Sequence, residues 1–293
     1  MTQNTSSSPS LTWLVTGASQ GFGRALVEEI LSRGERVLAT VRDAAVLQDL
    51  EARHPDLLAI ATGDLRDDAG VAGIVDAAAE LFGVPDVIVN NAGRAIVGAA
   101  EELSMDQLRE SLELNFFAAA ALTRAFLPGM RERGSGTIVQ FSSQGGRQTY
   151  PGVGAYSASK FALEGWSEAL AAEVAPFGVR VMIVEPSRFR TGFNTGRSLS
   201  LGATIDAYAG IVGPVRRDLS GADGLQEGDP ARAARIIADL AHAETVPLRL
   251  PLGAEAVLRL SAAYERSLEG VREWAELARS ADFPGVAASS RAV

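Results

Sequence analysis

The chain has 293 residues, 47% hydrophobic and 22% charged, enough for one large domain with a sizeable core. A net charge of −9 argues against a polyanion such as DNA as the main partner, though a local arginine cluster can still hold one phosphate. The absence of cysteine excludes disulfides, a thiolate nucleophile and Cys-ligated metal, and the two histidines, His54 and His242, lack ligand spacing, so no metal is expected. The first ten residues, MTQNTSSSPS, are polar and lack the basic start of a signal peptide, so residues 1–10 read as a disordered tail. The longest apolar runs are too short to cross a bilayer, and with no targeting signal the expected compartment is the cytoplasm.

Apolar runs of β type follow at 11–16, 36–41, 57–62, 86–90, 136–142 and 180–185. They are continuous rather than alternating, the pattern of a parallel sheet buried on both faces. Helical stretches separate them at 22–33, 44–53, 68–82, 105–133 and 155–176, with Gly34, Gly83 and Gly178 just past three of these as stops. The alternation predicts a doubly wound, Rossmann-type α/β fold with helices on both faces of a parallel sheet. Residues 186–229 break the rhythm and are rich in Gly, Ser, Thr and Arg, which suggests an irregular substrate lid over about 187–229. Helical patterning resumes at DPARAARIIADLAHA, followed by a short PLRLPLG and a final helix over about 254–279. No linker is visible, so residues 11–280 read as one domain and 281–293 as a second loose tail.

In such a fold the ligand sits beyond the carboxyl ends of the strands, where strand order reverses. The turn after the first run is TGASQGFGRAL, with Gly17, Gly21 and Gly23. Glycines there allow a tight turn and close approach to a pyrophosphate, which the following helix N-terminus attracts. An ordinary strand–helix turn would use the same residues. The end of the second strand distinguishes NAD from NADP: an acidic residue would bind a ribose hydroxyl, an arginine a 2′-phosphate. Here Val41 is followed by Arg42, with Asp43 only afterwards. Asp64-Leu65 and NNAG (90–93) close the third and fourth strands at the same crevice, where they are equally compatible with plain turn chemistry.

Twenty-six of the 27 basic side chains are arginine; the one lysine is Lys160, in AYSASKFALEGW. Tyr156 lies four residues before it, on the same helical face. A free tyrosine is a poor acid or base at neutral pH, its pKa being about 10. Lowering it by about 3 units requires roughly 4 kcal/mol, which a cation about 4 Å away supplies at an effective dielectric near 20. A compact ammonium on a slim stem reaches past a phenol ring and holds ribose hydroxyls where a planar guanidinium would not fit. A lineage-wide preference for arginine, with one accidental survivor, is the plain alternative. Ser142 or Ser143, at the end of the fifth run, would donate to a carbonyl oxygen. Asn115, alone in an apolar helix, is either a satisfied kink or a prop for an ordered water.

Taken in order, these residues resemble the short-chain dehydrogenases/reductases over about 11–280. TGASQGFG resembles the family's TGxxxGxG, NNAG matches outright, and YSASK resembles its YxxxK. Ser143 stands 13 residues before Tyr156, the family's spacing, and is preferred over Ser142. The family's PGxxxT appears as PSRFRT, with Ser187 in place of glycine. The resemblance implies a catalytic set of Asn115, Ser143, Tyr156 and Lys160. It implies NADP(H), preferred over NAD(H), bound by Gly17, Ser19, Gln20, Gly21, Phe22, Gly23, Arg42, Asp64, Leu65, Asn91, Ala92, Gly93, Tyr156, Lys160, Pro186 and Thr191. Thr191 would hold the nicotinamide carboxamide.

RVLATVRD, LTRAFLPGMRERGSGTIVQFSS and EVAPFGVRVMIVEPSRFRTGF are similar to the 17β-hydroxysteroid-dehydrogenase-like and retinol-dehydrogenase-like branch. That implies carbonyl–alcohol interconversion on a bulky, mostly apolar substrate that is steroid-, retinoid- or polyketide-like. Gln144, Tyr150, Phe189 and Phe193 are the expected substrate contacts. Arg188, Arg190 and Arg197 are read as solvated loop charges, with recognition of an acidic substrate as the alternative. Non-redox chemistry such as epimerisation or dehydration, and a non-catalytic NADP(H)-binding regulator, are the competing functions. The partner is a small molecule, not nucleic acid or membrane, and the long helices suggest a homodimer or homotetramer.

Overall fold

The computed structural model describes residues 10–287 and 289. Each continuous apolar run becomes a strand: β1 Thr12–Val15, β2 Arg36–Val41, β3 Leu58–Thr62, β4 Val87–Asn90, β6 Gly136–Phe141 and β7 Val179–Pro186. Two three-residue strands, β5 Ala95–Val97 and β8 Leu199–Leu201, and a last strand, β9 Arg249–Leu252, complete the β structure of the described residues. The helices are α1 Gly21–Ser32, α2 Gln48–Arg53, α3 Asp68–Phe82, α4 Met105–Leu112, α5 Ala118–Arg133 and α6 Gly154–Val174. They continue with α7 Ala209–Gly221, α8 Pro230–His242, α9 Ala254–Glu273 and α10 Ala275–Arg279.

The main sheet runs β3-β2-β1-β4-β6-β7-β9, every neighbouring pair parallel. The chain winds outward from β1 to β3, then returns to β4 on the other side of β1. Strand order therefore reverses between β1 and β4, which opens the ligand crevice beyond their carboxyl ends. Side chains of a strand alternate between faces, and β1 shows both cores at once. Trp13 and Val15 join one buried cluster with Leu26, Ile30 and Ile237, beneath α1 and α8. Leu14 joins the other, with Ile74, Leu122, Met130 and Ile138, beneath α3 and α5. This is the single-domain, doubly wound fold that the continuous apolar runs predict. Each such fully buried aliphatic side chain contributes about 1.5–3 kcal/mol relative to exposure.

Gly34, Gly83 and Gly178 all have positive φ at helix ends, as their positions suggest. Two segments differ from expectation. The stretch 105–133 is not one α-helix: residues Glu113–Phe117 widen into a π turn between α4 and α5. The irregular 187–229 segment contains α7, whose Gly210, Gly213 and Pro214 hide its helical pattern. The segment is tied to the sheet side by a second small sheet in which β8 pairs with β5, Ala95 opposite Leu199. No helix among the described residues is long and apolar enough to cross a membrane. Of the two predicted tails, residues 1–9, 288 and 290–293 lie outside the described residues.

Candidate active site

The turn from β1 into α1 is built from clashes that only glycine avoids. Gly17 and Gly21 have φ of 66° and 57°. A Cβ on Gly17 would lie 2.8 Å from Ala92 Cα, and one on Gly21 would lie 2.7 Å from Thr191 Cβ. Gly23 faces inward, where a Cβ would meet the Gly17 carbonyl oxygen at 2.3 Å, so it serves helix packing rather than ligand contact. Thr16 Oγ1 accepts from the Asn91 and Ala92 amides at 2.9 and 3.0 Å, and Asn91 Nδ2 donates to the Thr16 carbonyl at 2.8 Å. The ends of β1 and β4 are thereby locked together. The N-terminus of α1 has no side-chain cap and no acidic residue in its first turn, leaving free N–H donors toward an anion.

A cavity of about 180 Å³ opens beside this turn. Of the sixteen cofactor positions expected from the sequence, Gly17, Ser19, Gln20, Gly21, Phe22, Arg42, Asp64, Leu65, Asn91, Ala92, Gly93 and Thr191 line it. Gly23 lies beneath it, while Tyr156, Lys160 and Pro186 line the adjoining cavity instead. Arg66, Arg94 and Arg197 also line it and carry no motif that singles them out. Two of these are neutralised locally. Arg66 contacts Asp64 and Glu110, each at 2.5 Å, and Arg94 reaches Glu110 at 3.1 Å. The Arg66 guanidinium holds the Asp64 carboxyl down at about 2. Arg42 is exposed at the cavity edge and, among the described residues, has no carboxylate within ion-pair distance. The glycine cradle and free helix amides fit a dinucleotide, with Arg42 at its edge.

The second cavity, about 360 Å³, shares Phe22, Asn91, Gly93, Thr191 and Phe193 with the first. Tyr156, Ser143 and Lys160 line it together. Ser143 caps the short turn Gln144–Gly146, its Oγ accepting from the Gly145 amide at 3.0 Å. A Cβ on Gly145 would touch both Ser143 Oγ and Tyr156 Cε1, at 3.4 and 3.3 Å, so this glycine lets serine and tyrosine converge. Ser142 also lines this cavity, but its Oγ packs against Gly146 and has no hydrogen-bond partner.

Asn115 is 1% exposed, in the π turn. Its Nδ2 donates to the Arg94 carbonyl and to Ser159 Oγ, both at 2.9 Å, and its Oδ1 accepts from the Arg94 amide at 3.0 Å. It thus joins the loop after β4 to α6, one residue before Lys160. Lys160 is 4% exposed and donates to the Phe141 carbonyl at 2.6 Å.

The expected electrostatics of Tyr156 are not those observed. Lys160 Nζ lies over the ring, 5.9 Å from its centroid, with its charge directed at a carbonyl. Burial pushes the phenol up from its ordinary value, and a hydrogen bond with Ser143 pulls it partly back. In this state the phenol is raised, not lowered. Lys160 pays for its own burial: the ammonium is pushed down to about 8, opposed by the Glu164 charge.

All four predicted substrate residues, Gln144, Tyr150, Phe189 and Phe193, line the second cavity. Phe193 stacks near Tyr156 at 5.9 Å, whereas Phe189 is 7% exposed, sits 4.9 Å from Phe22, and is chiefly a core residue at the floor. Sequence reading missed Val215, Asp218 and Leu219 of α7 and Glu255 and Arg259 of α9, which form the far wall. Of the loop arginines, Arg188 pairs with Asp218 at 2.5 Å and Arg190 donates to the Gln226 carbonyl at 2.6 Å, whereas Arg197 is exposed at the edge of the first cavity. Ser187, standing where the family motif has glycine, bonds the Leu252 carbonyl through both its amide (2.9 Å) and its hydroxyl (3.2 Å). The turn leaving β7 is therefore closed against β9.

Two adjoining cavities at a topological switch point, one built for a dinucleotide and one holding a serine, tyrosine and lysine, define the class. The sequence pattern of the short chain dehydrogenase family matches residues 12–200, and the chain belongs to that family. A short-chain dehydrogenase from Streptomyces avermitilis superposes with a TM-score of 0.89 at 44% identity, covering 94% of this chain and 100% of that one. Oxidoreductase BOA17 of Botryotinia fuckeliana is 34% identical, over 90% of this chain and 97% of its own. Human retinol dehydrogenase 8 is 37% identical over 62% of this chain and 60% of its own. The protein is an NAD(P)-dependent oxidoreductase of the short-chain type, acting on carbonyl or alcohol substrates.

Proposed function

We propose that this chain uses NADP(H) in preference to NAD(H) to interconvert a ketone and a secondary alcohol on a bulky, mostly apolar substrate. The carrying observation is the shared wall: Phe22, Asn91, Gly93, Thr191 and Phe193 border both cavities, so a nicotinamide entering from the first faces Ser143 and Tyr156 in the second. The NADP preference rests on Arg42, an unpaired cation at the end of β2. The bulky substrate rests on the volume and on Phe193, Leu199, Val215 and Leu219, and agrees with the likeness to a retinol dehydrogenase and to the hydroxysteroid-dehydrogenase-like branch. The 187–229 segment, carrying α7, acts as the lid over this wall.

The bound nicotinamide supplies or accepts the hydride. Tyr156 gives its proton to the carbonyl oxygen in reduction; burial keeps the phenol protonated, and a cation is needed to stabilise the phenolate it leaves. Ser143 donates a hydrogen bond to the same oxygen and orients it. Lys160 holds ribose hydroxyls and, once drawn from the Phe141 carbonyl, stabilises the phenolate left behind. Asn115 fixes the loop carrying Gly93 and Arg94 and holds a water in the proton relay. We pair this reading with a homodimer or homotetramer, supported by Phe117 and Phe161, both about half exposed beside α5 and on α6. The test is oxidation of NADPH and NADH by the purified protein against ketosteroids, retinal, bulky aryl ketones and quinones. Turnover preferring NADPH supports the reading. Altered stereochemistry or lost water without net cofactor consumption contradicts it.

A further inference from the structure

Directly behind Lys160 the fold buries two carboxylic acids. Glu164 sits one turn further along α6 and Glu185 near the end of β7, each 1% exposed. Neither lines the cofactor cavity or the substrate cavity, and no step above uses either. Among the described residues, Arg249 of β9 is the one cation in ion-pair contact with them, its Nε 3.1 Å from Glu164 Oε2 and 3.8 Å from Glu185 Oε1. The same guanidinium also reaches out to the exposed Glu168 at 2.7 Å. Three carboxyl groups therefore share a single guanidinium. The other charges facing the pair are Lys160 on α6 and Arg147, which follows the turn after β6 and is drawn outward by a 2.7 Å bond to Tyr264 of α9. Glu164 Oε1 and Glu185 Oε1 both lack a hydrogen-bond partner, although the two carboxyl groups lie within hydrogen-bonding reach of each other. Ionised carboxyl oxygens only accept, so a proton on Glu185 satisfies the contact between the two carboxyl groups.

We infer that Glu164 and Glu185 are positioning residues that regulate the charge of Lys160: Glu185 holds a proton against Glu164 at low pH and releases it as pH rises. The negative charge beneath the lysine then grows over the range where burial would otherwise strip the ammonium. Burial and the neighbouring Glu164 push the Glu185 carboxyl up to about 7, adjoining the value of about 8 to which burial lowers Lys160. An added negative charge favours the ammonium, so losing either carboxylate makes Lys160 deprotonate at lower pH. The catalytic use of this device rests on the role proposed above for Lys160; the device itself does not.

Because Lys160 is the only lysine, protein labelled with [13Cε]lysine gives one side-chain resonance, whose shift against pH reports its protonation without turnover. The full cofactor-free chain is expected to titrate near 8, with an earlier inflection near 7 from Glu185. Glu185→Gln should abolish that inflection, and both Glu164→Gln and Glu185→Gln should lower the lysine midpoint by about one unit. Glu168→Gln, which touches the same Arg249 from the solvent side, should leave the midpoint in place. A wild-type curve with no inflection near 7 overturns the inference even if a variant fails to fold. So does a midpoint unmoved by both buried substitutions, or one moved equally by Glu168→Gln. Absence of reductase activity is read in a separate assay and bears only on the reading above.

Discussion

The cofactor side and the substrate side of the crevice are built on different principles. On the cofactor side the parts that matter are backbone: glycines at the β1–α1 turn, free amides of α1, and strand ends locked by Thr16 and Asn91. These positions follow from strand order alone. On the substrate side the wall is made of side chains from α7, α9 and the loop after β6, brought together from residues 144 to 259. The first region is a consequence of the fold; the second is an addition to it. Changes on the cofactor side should therefore affect every substrate alike, and changes on the substrate side should discriminate among them.

The sharpest change falls where the two regions meet. Tyr156→Phe removes the proposed proton donor and should lower kcat for every carbonyl by about 10²–10⁴-fold while NADPH binding, followed by fluorescence, is retained. On the cofactor side, Arg42→Ala should raise KM for NADPH by roughly 10-fold or more, the loss of a charge-assisted contact, and leave KM for NADH unchanged. A comparable rise for both cofactors would place the arginine outside phosphate recognition. Gly23→Ala drives a Cβ to within 2.3 Å of the Gly17 carbonyl and should cost about 1–3 kcal/mol, visible as a lower unfolding midpoint. On the substrate side, Leu219→Trp narrows the far wall and should reduce kcat/KM for large ketones about 10-fold more than for small ones, with NADPH binding unaffected. The mildest effect is with pH. Lys160 is charged below about 8 and loses its proton above, so the reduction rate should fall as pH rises through that value.

The same division explains what was legible in the sequence. Trp13–Val15 and the other continuous apolar runs announce a two-sided parallel sheet, and topology then places Arg42, Asp64 and Asn91 at one crevice. Asn115, Ser143, Tyr156 and Lys160 stand out by type and spacing, and three of the four line the substrate cavity. The helix α7 was not legible, because Gly210, Gly213 and Pro214 lower its propensity and its packing through Val212, Val215 and Leu219 against Val97, Val153 and Leu199 sustains it. Strand β9 was noted only as a short run containing prolines, and its Pro251 sits at the sheet edge where a missing N–H is tolerated. Nothing in the spacing of Glu164 and Glu185 reveals that they meet, since one lies on a helix and the other on a strand. Nor does charge spacing reveal that Lys160 directs its ammonium to the Phe141 carbonyl, or that burial raises the phenol of Tyr156.

The central claim is that one shared wall couples a phosphate-bearing nicotinamide cofactor to an apolar carbonyl through Tyr156. Its most direct test is the initial rate of NADPH oxidation with a bulky apolar ketone, measured for wild type and Tyr156→Phe beside the same assay with NADH. The account predicts turnover that prefers NADPH and falls by at least about 10²-fold in the variant. Equal rates for wild type and variant, or NADPH binding with no reduction of any ketone in the panel, would contradict it.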